Sequence, residues 1–179
     1  GDGVEVVEWI VSQPWSDGVV GSMGISYPGT TSELLLAQGH PAVRAIAPMF
    51  AYYDAYPDIV RPGGIWLEFF TRRWGAFNRL LDSNRPGEAF SGVRAAAVSS
   101  VAPVDEDPDG ELLALAVAEH ADNADPHMLA GIIEHRDSSS DGGMDVDDIS
   151  PHVHRDKIVA TGAAVYSVSG WHDGAYVHS

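Results

Sequence analysis

The stretch Gly24-Ile25-Ser26-Tyr27-Pro28-Gly29 has the residue types and order for chemistry. A serine raised above a sheet must sit on a sharp strand-to-helix turn, in strained backbone geometry. Its neighbours must be small, so that strand and helix can approach closely. Gly24, two residues before Ser26, meets that demand, and so does the glycine-rich run before it. The backbone N–H of Tyr27 stands at the start of the next helix, where an oxyanion would form and the helix dipole favours negative charge. The chemistry such a turn permits is acyl transfer with Ser26 as nucleophile. The match to G-x-S-x-G is imperfect, because Pro28 stands at +2 and the second glycine, Gly29, at +3. An ordinary strand–helix turn whose serine caps the helix is the competing reading.

The elements that must position Ser26 are legible around it. Residues 3–12 place Val4, Val7, Ile10 and Val11 at helical spacing, and Pro14 stops that helix before a Trp15-Ser16-Asp17-Gly18 turn. Val19 to Ile25 is a short run of apolar and small residues, expected to be a strand buried on both faces. Residues 28–39 read as a helix, with Pro28 in its first turn and Gly39 at its end. Residues 43–50 are a second apolar strand. Strand, helix and strand at this spacing make a βαβ unit and so a parallel sheet.

From about residue 51 the character changes. Tyr52, Tyr53, Tyr56, Pro57 and Pro62 make an aromatic, turn-rich passage. Residues 65–81 then read as a long amphipathic helix, with Trp66, Phe69, Phe70, Trp74 and Phe77 three and four residues apart. Further helices are expected around 87–99, 109–121 and 126–136, before an Asp/Ser/Gly-rich loop at 137–148. Sheet character returns at 157–169, followed by Gly170-Trp171-His172-Asp173-Gly174. An aspartate just past the C-terminal end of a parallel strand lies on the edge where ligand sites form, although it is also an ordinary turn residue.

Trp9 to Gly29 resembles the nucleophile region of the X-prolyl dipeptidyl-peptidase / cocaine-esterase family of α/β-hydrolases. The resemblance rests on Gln13, Pro14, Trp15, Gly18, Val20, Gly21, Gly24, Ser26, Tyr27 and Gly29, and the +3 glycine is the rule in that family. A second anchor is Gly170-Trp171-His172-Asp173-Gly174. The resemblance implies that Ser26 is the nucleophile, the Tyr27 amide an oxyanion donor and Asp173 the triad acid. It implies an α/β fold: a partial α/β-hydrolase parallel sheet with an inserted helical cap. Residues 1–50 would hold the core with the nucleophile elbow, 51–150 the cap, and 151–179 the return to the core. It further implies pocket roles for Trp66, Trp74, Trp171 and Ala175, and a C-terminal β-sandwich outside the chain.

A Ser–Asp pair performs no acyl transfer without a base. The chain order Ser, Asp, His puts the base after Asp173, where only His178 follows. The family places its histidine some tens of residues later, so the base is expected outside these residues. So is the second oxyanion donor, a tyrosine hydroxyl upstream of residue 1. His40, His120, His127, His135, His152 and His154 show no carboxylate partner at triad or metal spacing. His152-x-His154 reads as a solvated loop, and no metal or cofactor is expected.

Composition bounds the partners. The chain has 179 residues, of which 45% are hydrophobic, as in a globular protein. Asp and Glu number 26 against 10 Lys and Arg, a net charge of −16, and Lys157 is the one lysine. So negative a surface repels nucleic acid and anionic lipid. Asp, Arg and small aliphatics in place of Glu, Lys and bulky ones point to adaptation to concentrated salt, against a generically acidic protein. With no cysteine, the redox compartment is unreadable, and a cytoplasmic location is only slightly favoured. No apolar run reaches 18 residues. Gly1 is not an initiator methionine and opens inside a helical pattern, so both ends are expected to be internal to a longer polypeptide. The expected partner is a small ester or short peptide, and a homo-oligomer is compatible with the sequence. Two rivals remain. One is a nucleotide-binding βαβ unit, against which Gly21-Ser22-Met23-Gly24 fails the G-x-G-x-x-G pattern; the other is a non-catalytic remnant.

Overall fold

The structure is a computed structural model that describes residues 2–139, 143 and 145–173. It divides into two compact units: residues up to Trp66 together with those from Ile133 onward, and Leu67–Ile132.

The first unit is built on a parallel sheet. Helix α1 (Asp2–Ser12) leads through the predicted turn, where Gly18 takes a φ of 82° and Asp17 Oδ1 accepts the Val19 N–H. Strand β1 (Val20–Ile25), helix α2 (Tyr27–Leu36) and strand β2 (Val43–Met49) follow as the expected βαβ unit. Helix α7 (Arg155–Ala160) and strand β3 (Ala164–Val165) close the unit, and the strand order is β1-β2-β3 with both pairings parallel. Val20 pairs with Val43 and Ile25 with Met49; an irregularity after Val20 shifts the register, so that Val43 and Ile46 both point into the core. That core is Val7, Val20, Leu36, Val43 and Ile46, flanked by Ile10, Leu35 and Ile158 from α1, α2 and α7.

Two expectations are corrected here. Strand β1 is covered on one face only, and its burial alternates: Met23 is 70% and Ile25 62% exposed. The reason is that α1, α2 and α7 all contribute to the same core cluster, which leaves the other face open among the described residues. Residues 157–169 are not one strand. Their first apolar residues, Ile158 and Val159, belong to α7; Gly162 then turns at φ 64°, and the ladder resumes only with Ala164–Val165 and a bridge from Met49 to Val168. A short apolar run is ambiguous between helix and strand, and here Ile158 finds the core from a helix.

The second unit is helical: α3 (Glu68–Asp82), α4 (Val93–Ala97), α5 (Glu111–Glu119) and α6 (Pro126–Ile132). Helix α3 starts at Glu68, not at residue 65, because Gly63 and Gly64 take positive φ and Ile65 is extended. Gly92 (φ 60°) splits the expected 87–99 helix into a short turn and α4. Helices α3 and α6 approach closely at Gly75, where an added β-carbon would lie 2.5 Å from Asp125 Oδ1. Along α3, Phe70 stacks on Trp74 at 6.4 Å and Trp74 meets Phe77 at 6.0 Å.

Candidate active site

Ser26 joins β1 to α2 with φ 66° and ψ −136°. This is a conformation that side chains other than glycine's rarely adopt, and it costs about 1–3 kcal/mol. The surroundings hold it there. Its N–H donates to Met49 O at 2.8 Å, and its carbonyl accepts the Gly29 N–H at 2.8 Å, which starts α2 at once. A β-carbon at Gly24 would fall 2.3 Å from the Pro28 carbonyl carbon. One at Gly29 would fall 2.8 Å from Ala51 Cβ and 2.9 Å from Gly24 O. The +3 glycine therefore has a steric reason: it lets the first turn of α2 lie against both strand ends. Ser26 sits at the N-cap of α2, yet it makes no side-chain capping hydrogen bond. That removes the reason for a serine which the capping reading supplied.

Asp173 is presented from the far side of β2. Beyond β3 the chain keeps its pairing, with Phe50 N–H donating to Val168 O at 2.7 Å. It then turns at Gly170, whose carbonyl accepts the Asp173 N–H at 3.0 Å. Ser26 and the Asp173 turn thus lie beyond the C-terminal ends of the two outer strands, with β2 between them. Two strand spacings amount to about 10 Å.

All 179 residues match the family model for X-Pro dipeptidyl-peptidase (S15 family). The chain belongs to the S15 family. It is similar to a Mycobacterium bovis protein named "Putative serine esterase" and to a Mycobacterium tuberculosis protein of the same description. Each is 44% identical over 197 aligned residues, covering 99% of this chain and 31% of the relative. It is also similar to the cocaine esterase of a Rhodococcus species, 31% identical over 150 residues, covering 74% of this chain and 26% of the relative. The chain spans about a third of the length of the relatives it matches.

The remaining expected site residues fall in both units. Trp66 is half-buried in the first unit, with the Arg61 guanidinium 5.8 Å from its ring centre. Trp74 lies on α3 in the second unit. Trp171 is 99% exposed. Ala175 and His178 lie outside the described residues. Several histidines have polar partners within their own unit. His40 Nδ1 accepts the Ala42 N–H, His127 Nδ1 lies 3.1 Å from Thr71 Oγ1, and His120 lies 3.8 Å from Asp82.

His120, beside Asp82, and His152 both depart from the expected lack of carboxylate partners, and His152 has two. Its ring nitrogens stand 3.8 Å from Asp54, which is distant in sequence, and 3.7 Å from Asp147, in the segment just before it. Together they form the one set of three potential metal-ligating side chains among the described residues. Arg136 already fills that place: it donates to Asp54 at 2.5 Å and Asp147 at 2.6 Å, and lies 3.3 Å from His152 Nε2. The cluster is an ion-pair network that ties residues 54, 136, 147 and 152 together.

Two further residues went unread in the sequence. Phe50, directly after β2, has a φ of 48°, a left-handed conformation for a bulky residue. A strand whose turn lacks glycine gives little sign of it. Glu33, on α2, has its Oε2 buried without a hydrogen-bond partner in the structure. Burial, and then the nearby Asp58, push its carboxyl up to about 7.

Proposed function

We propose that this chain carries the nucleophile and the acid of a serine hydrolase that cleaves carboxylic esters through an acyl-enzyme. The observation that carries the reading is the backbone of Ser26, held at φ 66° between a parallel strand and a helix by two glycines that admit no β-carbon. Ester is preferred to peptide because the named relatives at 44% and 31% identity are esterases by name.

Ser26 Oγ attacks the ester carbonyl while its proton passes to a histidine, and the tetrahedral oxyanion is met by the Tyr27 N–H at the start of α2. Collapse breaks the bond to the alcohol oxygen, which leaves with the histidine's proton. Water then attacks the acyl-serine, the same base taking its proton; the bond to Ser26 Oγ breaks, Oγ regains that proton from the base, and the carboxylic acid is released. Asp173 accepts the other ring N–H and fixes the tautomer. We assign the base and the second oxyanion donor to residues outside 1–179. The 179 residues alone are then inactive. We read the helical unit Leu67–Ile132 as the body of the expected cap. Trp66, Trp74, Trp171 and Ala175 remain the proposed pocket residues, each open to single substitution.

The test is hydrolysis of p-nitrophenyl acetate and butyrate by the whole protein, together with labelling of Ser26 by a fluorophosphonate. Ser26→Ala is expected to lower kcat at least about a thousandfold and to abolish labelling. Turnover that survives the substitution refutes the assignment. The family's name, X-Pro dipeptidyl-peptidase, supports a second reading, cleavage after an X-Pro pair. Release of p-nitroaniline from Gly-Pro-p-nitroanilide faster than ester hydrolysis would favour it.

A further inference from the structure

Strand β2 lies between β1 and β3, so its C-terminal end faces the gap between Ser26 and the Asp173 turn. Consecutive backbone groups there hold both neighbours. The Met49 carbonyl accepts the Ser26 N–H at 2.8 Å, and the Phe50 N–H donates to Val168 O at 2.7 Å, on the segment that leads to Asp173. The two groups belong to one trans peptide unit and so point in opposite directions, and the chain turns immediately after it at Phe50, with φ 48°. Glycine takes that conformation without strain, yet a phenylalanine stands here.

The ring has a specific neighbour. A β-carbon at Gly170 would lie 3.3 Å from Phe50 Cε1, closer than most carbon contacts allow without movement. Gly170 in turn begins the turn that carries Asp173, through its carbonyl and the Asp173 N–H. Phe50 is half-buried, so part of its surface remains open at this edge.

On the reading that Ser26 is the nucleophile and Asp173 the acid, we propose that Phe50 is the positioning residue of the triad. Its backbone fixes the spacing between the Ser26 elbow and the acid strand, and its ring sets the height of the Gly170–Asp173 turn.

The experiment uses the whole protein and reads kcat, KM and the acidic limb of the pH profile of kcat/KM. Phe50→Gly keeps the φ and removes the ring. It is expected to lower kcat between about tenfold and a hundredfold, with KM changed less than about twofold. It should also move the acidic limb to lower pH by about half a unit or more, because an imidazole that loses contact with a carboxylate holds its proton less well. Phe50→Leu, which keeps an apolar side chain, is expected to recover most of kcat and the position of the limb. If Phe50→Gly fails to fold, Gly170→Ala supplies the test from the other side. It pushes on the ring, should lower kcat and shift the limb, and should be relieved when combined with Phe50→Leu. An unshifted limb with unchanged kcat in Phe50→Gly, or a change confined to KM, overturns the proposal. Turnover retained in Ser26→Ala overturns the reading beneath it and the proposal with it.

Discussion

At the scale of single residues, Glu33 gives the sharpest pH prediction. Its carboxyl is held up to about 7 in the folded protein, against an ordinary value of 4.5. The unfolded chain therefore ionises first as pH rises, and ionisation of this group opposes folding. Its contribution to stability is present below about pH 4.5, is lost as pH rises towards 7, and stays lost above that. Glu33→Gln should raise the urea midpoint at pH 8 and leave it nearly unchanged at pH 4.5. A wild-type and mutant pair that differ equally at both pH values ends this account. Ser26 and its glycines were legible as residues, because a strained turn with close strand–helix approach admits few alternatives. Phe50 and Glu33 were not, because a φ of 48° and a buried, unpartnered oxygen are properties of surroundings supplied from elsewhere in the chain.

At the scale of elements, β1, α2 and β2 follow the sequence pattern to within a few residues, since period and breakers are local. The segments that flank the helical unit are held by contacts distant in sequence. Tyr56 Oη donates to Glu134 O, Arg61 Nε to Ile133 O at 2.7 Å, and Ser150 Oγ accepts the Ala55 N–H at 3.0 Å. Arg136 is the centre of this clamp, bridging Asp54 and Asp147 beneath Tyr56, whose ring centre is 5.5 Å away. Arg136→Ala leaves two carboxylates side by side and should destabilise the protein by about 1–3 kcal/mol, read by urea denaturation. Arg136→Lys should recover less than half of that, because one ammonium cannot span both carboxylates as a planar guanidinium does. A loss under about 0.5 kcal/mol for Arg136→Ala would mean that the clamp is solvated and adds nothing.

At the scale of the molecule, the charge of −16 sets the response to salt. Self-repulsion among so many carboxylates is screened when the Debye length falls to about 3 Å at 1 M. We propose that the protein is adapted to concentrated salt, with Tm rising from 0.1 to 2 M KCl by thermal melts. A flat or falling Tm would leave a generically acidic surface as the account. The open face of the sheet, with Met23, Ile25 and Tyr166 exposed, belongs to this scale as well. The apolar run of β1 was expected to be buried on both sides, and which side receives helices was settled by where α1, α2 and α7 pack.

The sequence by itself determined the βαβ unit, the elbow at Ser26 and its +3 glycine, and the S15 resemblance. All of these rest on local spacing, local sterics and short-range hydrogen bonds. Only the tertiary structure decided that β2 stands between Ser26 and the Asp173 turn, and that Phe50 Cε1 would lie 3.3 Å from a β-carbon at Gly170. It likewise gave His152 its carboxylates. Apart from the Asp147–His152 pair, each of these joins residues far apart along the chain, and strand order and long-range packing have no signature in the spacing of one sequence.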